Sequence, residues 1–211
     1  MKKINHYWDQ FYFINKEFQK PSNFAKFVKK KIINKKTKLL EIGCGDGRDS
    51  FYFFKYSKKI YSIDKSKIVI KKNIEIVNKR KIKNLFFNRI NINSSQFLKL
   101  KNFNLIYARF FLHAINSEEE KIFINFLKNY SKKNTLVALE FRTTKDRLLN
   151  KGIKISKYER ITDHYRRFIN VNDIVNKLKI NKFKIIYFKE GKNLSKYKRD
   201  NPHLCRIIFQ L

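Results

Sequence analysis

The chain has 211 residues and a formal net charge of +33 at pH 7, from 50 Lys and Arg against 17 Asp and Glu. Hydrophobic residues make up 43 %, so a sizeable core can form, and the wealth of Phe, Tyr and Ile excludes global disorder. Five Gly and two Pro exclude a collagen-like or linker-rich chain, and two cysteines, Cys44 and Cys205, cannot build a disulfide framework.

The basic residues 1–5 are followed by no apolar run of signal-peptide length, and no stretch approaches the roughly 20 apolar residues of a spanning helix. The expectation is a cytoplasmic protein without stable membrane insertion. The charge is less informative than its size. A dedicated nucleic-acid surface favours the planar fork of Arg, whereas here Lys greatly outnumbers Arg and accompanies abundant Asn, Ile, Phe and Tyr. That is the amino-acid signature of AT-rich codons, and the lysines run from Lys2 to Lys198 without forming one block.

In chain order, residues 7–18 and 24–33 read as helices. Residues 37–42 form a short apolar run ending in a glycine cluster, the pattern of a buried strand. A helix over 48–56 and a strand over 59–63 closed by Asp64 come next. Ser66 caps a helix running to about residue 80. Strands follow at 85–87 and 103–108. Ser117 and Glu120 have the spacing of a capping box opening a helix to about residue 130. A fifth strand spans 135–141, and residues 142–168 are polar and aperiodic, predicting an insertion over the sheet. A helix at 172–178 and strands at 183–188 and 205–209 complete the chain, the last strand lying at an edge or in a hairpin. Alternating strands and helices imply one α/β domain with a mostly parallel sheet and helices on both faces.

The chemistry centres on residues 39–50. Gly43, Gly45 and Gly47 alternate at the end of the first strand, giving a tight turn whose backbone a ligand can approach closely. The next helix offers unpaired N–H groups, and the crevice beyond the strand ends is where open α/β sheets bind ligands. Asp64 ends the second strand about twenty residues on, where a carboxylate can accept both hydroxyls of a ribose. A dinucleotide site has G-x-G-x-x-G; this loop is G-x-G-x-G, with Glu41 two residues earlier.

That loop, with residues 60–64, 104–109 and 136–140 in register, resembles the four strand motifs of class I S-adenosylmethionine-dependent methyltransferases. The resemblance implies a Rossmann-like seven-stranded sheet over residues 1–211, an N-terminal helical lid at 1–34 and a substrate-side insertion at 142–168. It implies S-adenosyl-L-methionine as cofactor, held by Trp8, Tyr12, Glu41, Gly43, Gly45, Gly47, Asp64, Lys65, Asn91, Ile92 and Ala108. Asn91 stands where the family usually places an acid near the adenine, and its carbonyl can still accept from the amino group. Gly47 to Ser50 and the N-terminal aromatics are similar to tellurite-resistance and thiopurine-type members. Residues 110–115 and 140–143 look like small-molecule methyltransferases of surface-saccharide or metabolite tailoring.

Arg109 and His113 follow the fourth strand, Arg142 the fifth, and His164, Tyr165, Arg166 and Arg167 lie in the insertion. Catalytic roles are expected for Arg109, His113 and His164, and substrate binding for Arg142, Tyr165, Arg166 and Arg167. Cations and imidazoles converging on one sheet edge suit an anionic small acceptor methylated on oxygen, with a histidine as base where the nucleophile is a neutral hydroxyl. No C-x-x-C pair or His cluster indicates a metal. The alternatives are an RNA methyltransferase, favoured by net charge, and a non-catalytic cofactor-binding module.

Overall fold

The computed structural model describes residues 7, 9–10, 20–130, 133–196 and 200–211. The lid residues Trp8 and Tyr12 lie outside the described residues. The chain divides into two compact units, Met1–Tyr107 and Ala108–Leu211.

In the first unit, residues 7, 9 and 10 are helical, and helix α1 (Asn23–Lys31) has as its N-cap Ser22, which accepts a hydrogen bond from the Ala25 amide at 2.9 Å. Phe24, Ala25 and Val28 are its buried residues. Strand β1 (Lys38–Ile42), helix α2 (Ser50–Phe53), strand β2 (Lys59–Asp64), helix α3 (Lys67–Lys79), strand β3 (Leu85–Arg89) and helix α4 (Ser95–Leu98) follow, leading into strand β4 (Leu105–Arg109). Ser66 caps α3, as expected. The helix expected over 48–56 is only α2. The chain tightens after Phe53 with an i→i+3 bond from the Tyr56 amide, because Lys58 must return to pair with the Thr37 carbonyl.

Strand β1 pairs in parallel with β2 and with β4, and β2 in parallel with β3. Ile42 sits opposite Ile63, and Asp64 opposite Arg89. The carboxyl ends of these strands are therefore level, and the glycine loop and Asp64 leave the sheet along one rim.

The second unit begins within β4. It continues through a single 3₁₀ turn (Leu112–Ala114), helix α5 (Ser117–Lys128), strand β5 (Leu136–Arg142), a second 3₁₀ turn (Arg147–Asn150), strands β6 (Ile153–Ser156), β7 (Glu159–Ile161) and β8 (Tyr165–Arg167), helix α6 (Val171–Ile180), and strands β9 (Lys184–Gly191) and β10 (Leu204–Gln210). The seven-stranded sheet has the order β3-β2-β1-β4-β5-β10-β9. Strand β10 runs antiparallel to both neighbours.

Three expectations change here. The capping box on α5 is Asn116 with Glu119, not Ser117 with Glu120. Residues 153–167 are not aperiodic but form a separate antiparallel sheet, β6-β7-β8. The last strand forms the expected hairpin with β9, but it is interior and β9 lies at the edge: β10 buries nearly every residue whereas β9 is half exposed. Among the described residues, no helix is long and apolar enough to cross a membrane.

Candidate functional site

In the first unit the glycine loop turns back against the end of β2. The amides of Gly43 and Cys44 both donate to the Ile63 carbonyl, at 2.9 and 3.0 Å. The Gly45 amide donates to Asp64 Oδ2 at 3.0 Å, and the Ser66 amide to Asp64 Oδ1 at 2.9 Å. The Lys65 amide also bears on this half-buried carboxylate, and what acceptor capacity remains can take hydroxyl donors such as those of a ribose. Gly47 has φ +74°, and a Cβ there would lie 2.9 Å from the rings of both Phe51 and Phe87. Its missing side chain lets the loop pack against α2 and β3.

Acidic residues gather at this loop in an otherwise basic chain. Glu41 is buried and accepts from Ser50 Oγ, which also contacts Ser62 Oγ at 2.8 Å. Burial, then Asp49 and Asp46, push the Glu41 carboxyl well above the usual carboxylate range. Burial likewise raises Asp46 and Asp64. Of the other residues expected at the cofactor, the Lys65 carbonyl accepts from Arg89 Nε at 3.1 Å, and Asn91 turns its Oδ1 back to the Asn93 amide at 3.0 Å. Ile92 and Ala108 are buried.

Sequence reading passed over two residues here. Asp49 is 3 % exposed and accepts from the Ser22 amide at 2.8 Å, from Ser22 Oγ at 2.7 Å and from Tyr107 Oη at 2.7 Å, tying α1 to the end of the loop. Asn73, fully buried on α3, donates from Nδ2 to the Gly45 carbonyl at 2.9 Å. Both are polar residues beside apolar helical positions, the one signal that marks them.

In the second unit, His113 is buried in the 3₁₀ turn after β4. Burial lowers its pKa well below the ordinary imidazole value, and Arg142, Arg166, His164 and Arg109 lower it further, so these groups surround it. Its Nδ1 accepts from the Arg142 amide at 3.2 Å, which leaves the proton on Nε2. The basic nitrogen is therefore engaged by the backbone. Desolvation and then Arg166 hold His164 down to about 4, although Asp163 Oδ2 lies 3.0 Å from its Nδ1.

The arginines expected to await an anion are engaged by carboxylates. Arg142 pairs with Asp146 at 2.9 Å and with Asp200. Arg109 Nε meets the buried Glu140 at 3.0 Å, and Arg206 meets the same carboxylate at 2.7 Å. Arg166 bonds to Thr162 and Asp163. Arg167 pairs with Glu120 and donates to the Ile115 and Leu112 carbonyls at 3.0 and 3.3 Å, so it holds the His113 turn. Tyr165 donates to Glu159. Phe110 is a further residue at this turn: its φ is +58°, costly for an aromatic residue, and its ring sits 3.9 Å from the Arg109 guanidinium carbon and 4.9 Å from the His113 ring.

Residues 33–184 match the family described as methyltransferase domain. The chain belongs to this family, and it is a class I S-adenosylmethionine-dependent methyltransferase with S-adenosylmethionine as its cofactor. None of the curated protein sequences matches the chain significantly. Among solved structures it is similar to a SAM-dependent methyltransferase from Methanosarcina mazei, with 16% identity and a TM-score of 0.69 over 84% of this chain and 93% of that one. It is similar to the magnesium protoporphyrin IX methyltransferase of Synechocystis with bound SAH, with 14% identity and a TM-score of 0.63 over 89% of this chain and 78% of that one. It is also similar to the [4+2]-cyclase SpnF, with 13% identity and a TM-score of 0.68 over 88% of this chain and 78% of that one. At such identities the likeness is one of fold.

Proposed function

We propose that this methyltransferase acts on a small acceptor through an oxygen that is already ionised, such as a carboxylate. The cofactor supplies an electrophilic methyl group when bound, and Gly43, Gly45 and Asp64 hold it. The observation that carries the acceptor class is the state of the two imidazoles. His164, held near 4, and His113, lower than an ordinary imidazole, are neutral and weakly basic at pH 7. Proton abstraction is most efficient when the base titrates near the working pH, so neither suits removal of an ordinary hydroxyl proton. A neutral His113 with its proton on Nε2 instead donates a hydrogen bond, and the neighbouring Arg142 and Arg166 favour negative charge. Carboxylates already paired with these arginines reduce that attraction without removing the donors.

The test is transfer of a labelled methyl group to a panel of carboxylic acids, alcohols, amines and RNA. Turnover of an acid, with a rate flat from about pH 8 to 5, supports the proposal. His164→Gln should then keep activity within about fivefold, whereas a general base would cost on the order of a hundredfold or more. Transfer confined to alcohols, with a pH profile falling below neutrality, refutes it. The net charge of +33 favours RNA as the second reading, and labelling of RNA alone would establish that instead.

A further inference from the structure

We infer that Asn73 is a positioning residue for the cofactor, acting on it through Gly45. The inference rests on the reading of the glycine loop and Asp64 as the cofactor's holders.

Gly45 carries one fixed hydrogen bond on each side. Its N–H donates to Asp64 Oδ2 at 3.0 Å, and its carbonyl accepts from Asn73 Nδ2 at 2.9 Å. With φ at +51°, glycine tolerates this conformation, but it also has more alternative conformations than any other residue. The two bonds remove that freedom. They come from different elements: Asp64 ends β2, and Asn73 lies in the middle of α3.

The balance of hydrogen bonds separates function from stability here. Asn73 is fully buried, and among the described residues its Oδ1 has no hydrogen-bond partner. An apolar side chain of the same size would leave the Gly45 carbonyl without this donor, while removing the unpartnered Oδ1. Either way one buried acceptor goes unmatched, so the asparagine adds little to folding. What it changes is which oxygen is unmatched. It moves the deficit off the loop and onto its own side chain, and so fixes the 45–46 peptide plane, next to the 44–45 peptide whose N–H holds Asp64.

The experiment measures S-adenosylmethionine and S-adenosylhomocysteine affinity by calorimetry, with thermal melting of the same samples, for wild type, Asn73→Leu, Asp64→Ala and the double variant. The expected result for Asn73→Leu is a Kd about tenfold weaker, the size of one lost hydrogen bond, with the melting temperature nearly unchanged. Because Asn73 works through Gly45 on Asp64, the double variant should lose less than the product of the two single losses. A Kd within twofold of wild type for Asn73→Leu, alongside a weakened Asp64→Ala, overturns the role of Asn73 alone. Unchanged affinity in both overturns the placement of the cofactor as well. A lowered melting temperature with unchanged Kd shows a merely structural residue and also overturns the inference. If Asn73→Leu does not fold, Asn73→Asp decides. A buried protonated carboxyl can donate to the Gly45 carbonyl, whereas a carboxylate repels it. The Kd of that variant relative to wild type should therefore recover between pH 8 and pH 5, and a constant ratio refutes the inference.

Discussion

Replacing Asp64 by alanine removes a carboxylate whose oxygens are preset by the Gly45 and Ser66 amides at 3.0 and 2.9 Å. The acceptor capacity left on the carboxylate predicts charge-assisted hydrogen bonding to the ribose diol. Such bonds contribute about 1.5–3 kcal/mol each when fully sheltered. Asp64 is only half-buried, so water replaces part of what is lost, and about 2 kcal/mol is expected in total. That corresponds to a Kd roughly thirtyfold weaker for S-adenosylmethionine, read by calorimetry on samples whose circular dichroism confirms the fold. Asp64→Asn should bind about as poorly. Its amide must face at least one backbone N–H with another N–H, so the conservative change trades an acceptor for a clash. A Kd for Asp64→Ala within threefold of wild type would refute the reasoning and leave Asp64 as a brace for Gly45 and Ser66.

Asp49→Ala strands the Ser22 and Tyr107 donors in a buried setting, and should cost about 3–5 kcal/mol of stability, seen as a lower urea midpoint. A loss below 1 kcal/mol would show that water replaces the carboxylate. Gly47→Ala meets two phenyl rings at 2.9 Å with φ at +74°, so a drop of about 1–3 kcal/mol is expected in the same assay. The histidine contribution to stability should fall on acidification, opposed by the raised carboxyls of Glu41, Asp46 and Asp64. Between pH 6.5 and about 4 the unfolded chain binds a proton that folded His164 does not, and His113 acts in the same direction. The loss from His164 approaches about 3 kcal/mol at pH 4, and His164→Gln should flatten the curve. A pH dependence of the urea midpoint that is the same in wild type and His164→Gln would contradict this.

The parallel strands were legible as short, largely apolar runs, a pattern set by burial on both faces, and the first two end at Gly or Asp. The α5 capping box was misplaced by one residue because Asn116/Glu119 and Ser117/Glu120 satisfy the same spacing. Tertiary contacts decide between them: Glu120 is buried and engaged by Arg167 and Lys177, so only Glu119 is available to the cap. Strands β6 to β8 escaped notice because none has a buried face, and alternation appears only where one face is buried. In the candidate site, the glycines and Asp64 could be read from spacing. The partners of the arginines could not, since Asp146, Asp163 and Asp200 look like ordinary loop acids until the chain is folded. Asn73 was hidden for a related reason, being one polar residue in a helix with many.

Strand β9 closes one edge of the main sheet and exposes Ile186 and Phe188 at 53% and 47%. An edge strand of eight residues with apolar side chains in water is a template for strand addition by another molecule. Lys184 and Lys189 lie on the same strand, and the whole chain carries +33. Two copies approaching edge to edge therefore meet like charges first. This colloidal repulsion is long-ranged only in dilute buffer, because at 0.15 M salt the screening length is about 8 Å. The composition that says little about a partner thus sets the solution behaviour: the protein should stay dispersed at low ionic strength and self-associate along β9 as salt is added.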